Sequence, residues 1–484
     1  MVRTPGRGRT ARAPTGRLCR LVRRRVSLPS LEQSRSLRYA TVFGLYVMQG
    51  VPAGFALTAV ANRLAAEGTS PPAIGRFVAL VGVPWTVQLF WGPVIDRFQG
   101  SRMGRRKPWV FFAQIAALVA SLGLLLVSDP ARQVGLLTAV FFVHSVCASV
   151  QDASADAMAI TVTRPEERAR VNAFMRAGLL AGDAIGAAGL AVILRRSGFG
   201  AAAVAQTLVL LACSVAFFFV RERPGDALAP WGRGRAAPAN AAPNELPNDP
   251  SDGPPAGDAP HLTFPEIFRR LAGGMRAPES VRLYGAILAV YFAGSVFVRA
   301  FNVHLVQRLH WDDTALSVLT GTWGMGAAAV AVLLAGLAAG RAGPRRLLLG
   351  VTGAIGAYLV LLCLLAPLWP HAPFTRAALV LWYTADPGFS VAAMPVLMTL
   401  CRKGVEGSQF TAYMALVNLA DVAGNYVAGY ALTVTSAPVI GLACGAVVWA
   451  GWEAMRRSAL GRTPLGNEPS PAPVGAPGLV PAAR

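Results

Sequence analysis

Apolar stretches of about twenty residues recur from one end of the chain to the other, and only a membrane gives all of them a solvent. They start near Tyr39, Ala73, Pro108, Val134, Val171 and Ala201, then near Val281, Thr314, Arg346, Phe374, Ser408 and Val439. Each is long enough to cross the ~30 Å of hydrocarbon as an α-helix. In lipid, backbone N–H and C=O groups must be satisfied within their own segment, so such runs become helices and not open strands. The expected fold is all-α and integral to the membrane: twelve transmembrane helices in two pseudo-symmetric six-helix bundles. Of 484 residues, 54% are hydrophobic and only 14% are charged, more apolar surface than one soluble core can bury.

The formal charge of +21 would suggest nucleic acid if the arginines formed one continuous face. They fall instead in short groups between apolar runs, so a nucleic-acid partner is not expected. Arginine and lysine bias orients the spans. Arg97, Arg102, Arg105, Arg106 and Lys107 follow span two; Arg164, Arg168 and Arg170 follow span four; Arg341, Arg345 and Arg346 follow span eight. The alternate connections carry few such charges, with Arg195 and Arg196 the exception. This places both termini in the cytoplasm of a multi-pass inner-membrane protein. The six cysteines are scattered and suggest no disulfide or metal site. Gly-x-x-x-x-Gly-Lys-Ser/Thr does not occur, so direct ATP coupling is not expected, and neither is any other cofactor.

Composition divides the chain further. Residues 1–38 are a basic cytoplasmic tail, 39–220 the first six-helix bundle and 281–457 the second. Between them, 221–280 is rich in Pro, Ala, Gly, Asn and Asp and reads as a cytoplasmic linker. Near its end Phe264, Ile267, Phe268 and Leu271 recur at helical spacing beside Arg269 and Arg270, the pattern of a short helix lying on the membrane surface. Residues 458–484 read as a disordered tail.

Two internal echoes point to a duplication. Gly336-Leu-Ala-Ala-Gly340-Arg341-Ala-Gly343-Pro-Arg345-Arg346 repeats, after span eight, the run Gly92-Pro-Val-Ile-Asp96-Arg97 with Gly104-Arg-Arg-Lys107 that follows span two. Ala173-Phe-Met175 with Asp183 and Gly186 parallels Ala412-Tyr-Met414 with Asp421 and Gly424. Parallel repeats of this kind put a transport pathway between the halves.

The loop after span two, Gly-x-x-x-Asp-Arg followed by a glycine and a basic cluster, resembles the signature loop of the major facilitator superfamily. Its longer form, ending Gly104-Arg-Arg-Lys-Pro-Trp109, is similar to that of AmpG-type muropeptide permeases and the related acetyl-CoA transporters. Gln151-Asp152-x-x-x-Asp156, Leu400-Cys401 and Ser408-Gln409-Phe410 extend the resemblance over about residues 40 to 455. It implies a two-bundle carrier that alternates access, with Asp96, Arg97, Gly104, Arg105 and Arg106 as its gating hinge. Span four continues with Met158-Ala-Ile-Thr-Val162 where muropeptide permeases carry further polar residues, which leaves the substrate open.

Carboxylates within a span are costly unless paired, protonated or wetted, so each is a functional candidate. Asp152 and Asp156, four residues apart, share a helix face. Asp156 and Arg176 are counted to the same depth on neighbouring spans and are expected to form a structural pair. Asp152, a turn deeper without a partner, is read as a proton-coupling or substrate residue. Asp386 joins it because Pro387-Gly388 should open the helix there. Arg299 either meets an anionic solute or snorkels outward. His144 either relays protons or packs as a hydrogen-bonded neutral ring. Asp183 and Asp421, at matching positions, are expected to pack between the halves.

These residues predict a secondary active transporter, not an enzyme, driven by protons and moving a polar or anionic small-molecule solute, muropeptide-like or siderophore-like. The alternatives are an exporter of hydrophobic drugs and a non-transporting assembly or sensor protein on the same scaffold.

Overall fold

The structure is a computed structural model, and it describes residues 29–98, 101–164, 167–231, 269, 272–401 and 406–458. The basic tail up to residue 28, most of the linker with its expected surface helix (Phe264, Ile267, Phe268, Arg270 and Leu271), and the chain beyond 458 lie outside them.

The described residues are almost entirely helical. Helices α1 (Arg35–Gly54), α2 (Ala61–Ala66), α3 (Pro71–Thr86), α4 (Trp91–Arg97), α5 (Lys107–Leu122), α6 (Val134–Val162), α7 (Arg168–Ala184) and α8 (Leu190–Phe218) build the first half. The second half holds α9 (Pro278–Gln307), α10 (Asp313–Leu319), α11 (Met325–Ala342), α12 (Pro344–Leu364), α13 (Ala372–Trp382), α14 (Ala385–Thr399), α15 (Glu406–Val434) and α16 (Ala437–Arg457). Eight helical runs among the described residues are long and apolar enough to cross a membrane. Starts are set by local chemistry: proline sits in the first turn of α3, α5, α9, α12, α13 and α16, where its missing N–H costs nothing. The Asp312 side chain caps α10 by accepting the Ala315 N–H at 2.7 Å.

Three runs contain a π-helical turn: Phe55–Val60 between α1 and α2, Ile185–Gly189 between α7 and α8, and Thr320–Gly324 between α10 and α11. Such turns carry one extra residue and leave carbonyls without their usual donors. The second of them packs on both the first and the third where the halves meet. Gly321 seats against Ala187 and Ala188, and a Cβ there would lie 2.9 Å from Ala188 N.

Within each half, small residues let one helix pair approach closely. Helix α1 lies along α7, where a Cβ on Gly186 would sit 2.7 Å from Phe55 N and one on Gly182 would sit 2.9 Å from Gly50 Cα. Helix α9 lies along α15 in the same manner, with Gly424 against Phe292 and Ser295. Close backbone approach through glycine is how helices gain van der Waals contact where lipid supplies no hydrophobic drive.

The basic loop after α4 is fixed by the segment following α8. Glu222, fully buried, accepts the backbone N–H of Arg106 at 2.9 Å and of Lys107 at 3.2 Å, an anion at the N-terminus of α5. Lys107 Nζ donates to Phe218 O at 3.0 Å, at the C-terminus of α8, and to Leu228 O at 3.3 Å. Gly104, at φ +118°, sits where a Cβ would lie 3.0 Å from Asp226 Oδ2. Residues 221–228, expected to open the linker, therefore pack as part of the first half.

Candidate functional site: the cleft between the halves

The two halves are joined at the end opposite the basic loop. Helix α3 packs along α15, where a Cβ on Gly75 would lie 2.7 Å from Asn425 O. Arg195 pairs with Asp312 and lies 3.6 Å from Asp313. Asn62 Nδ2 donates to Ser317 Oγ at 2.9 Å, and Gln307 Nε2 donates to Thr69 O at 2.8 Å and to Ala65 O at 3.2 Å. Arg195, the exception to the charge pattern of the sequence, thus has a structural partner in the other half.

Nearer mid-depth Arg299 is buried, its Nε donating to Asn425 Oδ1 at 3.0 Å and its NH2 to Leu57 O at 3.0 Å. Leu57 lies in the first π-helical turn, which makes its carbonyl available to a donor from the other half. Arg299 neither snorkels to the surface nor meets a carboxylate. It ties the halves together.

Between these ties and the basic loop, the acids of both halves face one another. Asp152 on α6 accepts from Gln88 Nε2 at 2.7 Å, and Tyr46 on α1 donates to Asp156. Asp386, on the first turn of α14, is exposed, and the break between α13 and α14 falls beside Asp386-Pro387. Asp421 on α15 accepts from Ser295 Oγ at 2.5 Å and feels the charge of Asp386. Tyr291 on α9 shares a 2.7 Å hydrogen bond with Ser390 on α14. Arg176 on α7 is exposed, and its charge reaches Asp152, Asp183, Asp386 and Tyr291. Acids and a guanidinium from both halves thus lie within electrostatic reach of one another at mid-length of their helices.

Three readings of the sequence change here. Asp156 and Arg176 do not pair: α1 packs along α7 and brings Tyr46 to Asp156. His144 is buried inside the first half, its Nδ1 3.0 Å from Ala117 O and 2.9 Å from Ser121 Oγ, away from the cleft; a carbonyl can only accept, so Nδ1 carries the proton. Asp183 and Asp421 make their close contacts within their own halves, Asp183 through its backbone against Gly50 and Gly54 and Asp421 through Ser295. In the hinge, Arg97 is exposed, Arg105 and Arg106 are buried and Gly104 has its positive φ, while the Asp96 side chain is outside the described set.

Glu222 and Glu167 escaped the sequence reading because both lie outside the apolar runs. Glu167 binds Arg38 NH2 at 2.6 Å and also Arg35. Burial acts to raise its pKa, but the Arg38 hydrogen bond and the charges of Arg38, Arg35 and Arg164 outweigh it and hold the carboxyl below the usual range.

A family model for the Major Facilitator Superfamily matches residues 42–425. The chain belongs to that superfamily. Its members are transporters and not enzymes, and the chain is a multi-pass membrane protein of that kind. It is 26% identical over 399 residues to the Anhydromuropeptide permease of Escherichia coli (strain K12), covering 81% of this chain and 74% of the relative. An uncharacterized protein of Haemophilus influenzae is 29% identical over 111 residues, 22% of this chain and 26% of that one. Among solved structures, a peptide transporter POT mutant in complex with alafosfalin superposes with a TM-score of 0.60 at 12% identity, covering 88% of this chain and 96% of that chain. An auto-inhibited POT family peptide transporter gives 0.58 at 10% identity, with 90% and 99% covered. At such identities the structures speak for the fold alone.

Proposed function

We propose that this superfamily member is a proton-coupled secondary active transporter of the inner membrane, importing a polar or anionic organic solute of the anhydromuropeptide kind. In this reading it has twelve spans, the termini and the basic loop face the cytoplasm, and the joined end faces outward. The structure then stands in an inward-open state, and transport proceeds by the two halves rocking about their contact.

The observation that carries the proposal is the gathering of Asp152, Asp386 and Asp421, from α6, α14 and α15, at one cleft lined by both halves. A carboxylate at mid-membrane depth is retained where it can load and release a proton as access alternates. Asp152 and Asp386 are assigned that coupling role, with the basic hinge around Asp96 and Gly104 as the gate. Resemblance to a permease named for anhydromuropeptide supports the solute class.

The deciding experiment is uptake of labelled anhydromuropeptide by cells producing the protein, with and without an uncoupler. Uncoupler-sensitive uptake above that of empty cells is expected. Uptake that ignores the uncoupler removes the proton coupling, and no uptake removes the solute class.

A further inference from the structure

We infer that Arg176 is the residue that anchors a carboxylate of the transported solute, an inference that rests on the transport reading above and names the chemistry its site selects. Arg176 occupies mid-length on α7, is exposed, and among the described residues makes neither a hydrogen bond nor an ion pair within 4.0 Å. Arg299, by contrast, is held by Asn425 Oδ1 and Leu57 O.

A guanidinium carries five N–H donors in a planar fork that matches a carboxylate two bonds at a time. Left without a partner inside a bundle, it is poised for an anion that arrives. The surrounding carboxylates do not fill that role. Asp152 is satisfied by Gln88, Asp156 by Tyr46 and Asp421 by Ser295. Asp183 and Asp386 lie within electrostatic reach of Arg176 but outside contact.

A second observation points to the same place. Gln49, 8% exposed on α1, turns its side chain to Asp152, which also feels the charge of Arg176. Donors from α1 and α7 with carboxylates from α6 and α14 describe a pocket for a solute carrying both an anionic group and hydrogen-bonding groups.

The test is uptake into proteoliposomes of two labelled probes, anhydromuropeptide and the same compound with its carboxyl groups amidated. Wild-type protein should take up the native probe with a KM lower by roughly ten- to a hundredfold, the range of a charge-assisted bidentate contact. Arg176→Gln should bring the two KM values within about twofold of each other, and Arg176→Lys should keep part of the discrimination, since a point charge replaces the fork. Reconstituted Arg176→Gln protein that still prefers the native probe as wild type does overturns the inference and leaves the transport reading standing. If the wild type takes up neither probe, the transport reading fails and the inference falls with it. If Arg176→Gln does not reconstitute, Arg176→Lys decides alone: undiminished discrimination overturns the inference and a reduced one supports it.

Discussion

Glu222, ten residues before the first undescribed stretch of the linker, accepts the backbone N–H of Arg106 at 2.9 Å, 116 residues away along the chain. The basic loop is thereby held through its main chain. Glu222→Ala would leave two N–H groups buried at the start of α5. A loss of about 1.5–3 kcal/mol is expected, the usual worth of hydrogen bonds to a charged acceptor. Thermal unfolding of the purified protein in detergent should show the drop, and an unchanged midpoint would rule out the anchoring role.

The same cap is sensitive to pH. Burial pushes the Asp226 carboxyl up to about 6, with Glu222 adding to the shift and the Arg223 N–H, Arg223 and Lys107 opposing it. A carboxyl raised above its unfolded value of about 3.9 stabilises the fold fully below that value and loses the contribution as pH rises through about 6. Stability should therefore decline over this window, and Asp226→Asn should flatten the decline. Melting curves collected from pH 4 to 7 on both proteins make the comparison.

At the joined end, the pair of Arg195 with Asp312 is half exposed, which limits it to about 1 kcal/mol. Arg195→Glu replaces attraction with repulsion and should shift the balance toward separation at this end by roughly fivefold. Spin labels on Glu67 and Arg308, in a background with the native cysteines replaced, should report longer distances in the variant. Identical distance distributions would show that Asn62, Gln307 and Arg299 hold the end closed without it.

Helix packing within the first half gives a sharp contrast between glycines. Gly186→Val forces a side chain against Phe55 N, 2.7 Å from the added Cβ, and overpacking of this kind costs about 1–3 kcal/mol or more. Gly44, one helix away, has nothing within 4 Å of an added Cβ, so Gly44→Ala should be tolerated. Yields of monodisperse protein should fall for the first and hold for the second.

For the carrier function, Asp152→Asn and Asp386→Asn should each abolish uncoupler-sensitive uptake while leaving the protein in the membrane. If both variants transport normally, the acids are structural, and the reading as a non-transporting scaffold protein gains instead.

Helix positions were legible because hydrophobic length is a one-dimensional property: runs read from Pro108, Thr314, Phe374 and Val439 begin within two residues of α5, α10, α13 and α16. The break at Asp386-Pro387 was equally plain, since proline acts on its own backbone. Partnerships were not legible. Pairing Asp156 with Arg176 counted depth along neighbouring spans, whereas Tyr46 on α1 reaches Asp156 first. Arg299 found its acceptors in a side-chain amide and in Leu57 O, and a main-chain acceptor leaves no trace in residue identity. The π-helical turns were invisible for a related reason: an extra residue in a helix changes phase without changing composition.

That phase change reaches well beyond the turn itself. Each residue of an α-helix advances its face by about 100°, so deleting one residue from Ile185–Gly189 would return α7 and α8 to uninterrupted register and swing everything downstream around the axis. Arg195 would then point away from Asp312, although no atom of either residue had been altered. The spare residue works as an angular spacer, and natural variants that shorten this stretch should have to relocate the whole outer latch to a new position on the helix.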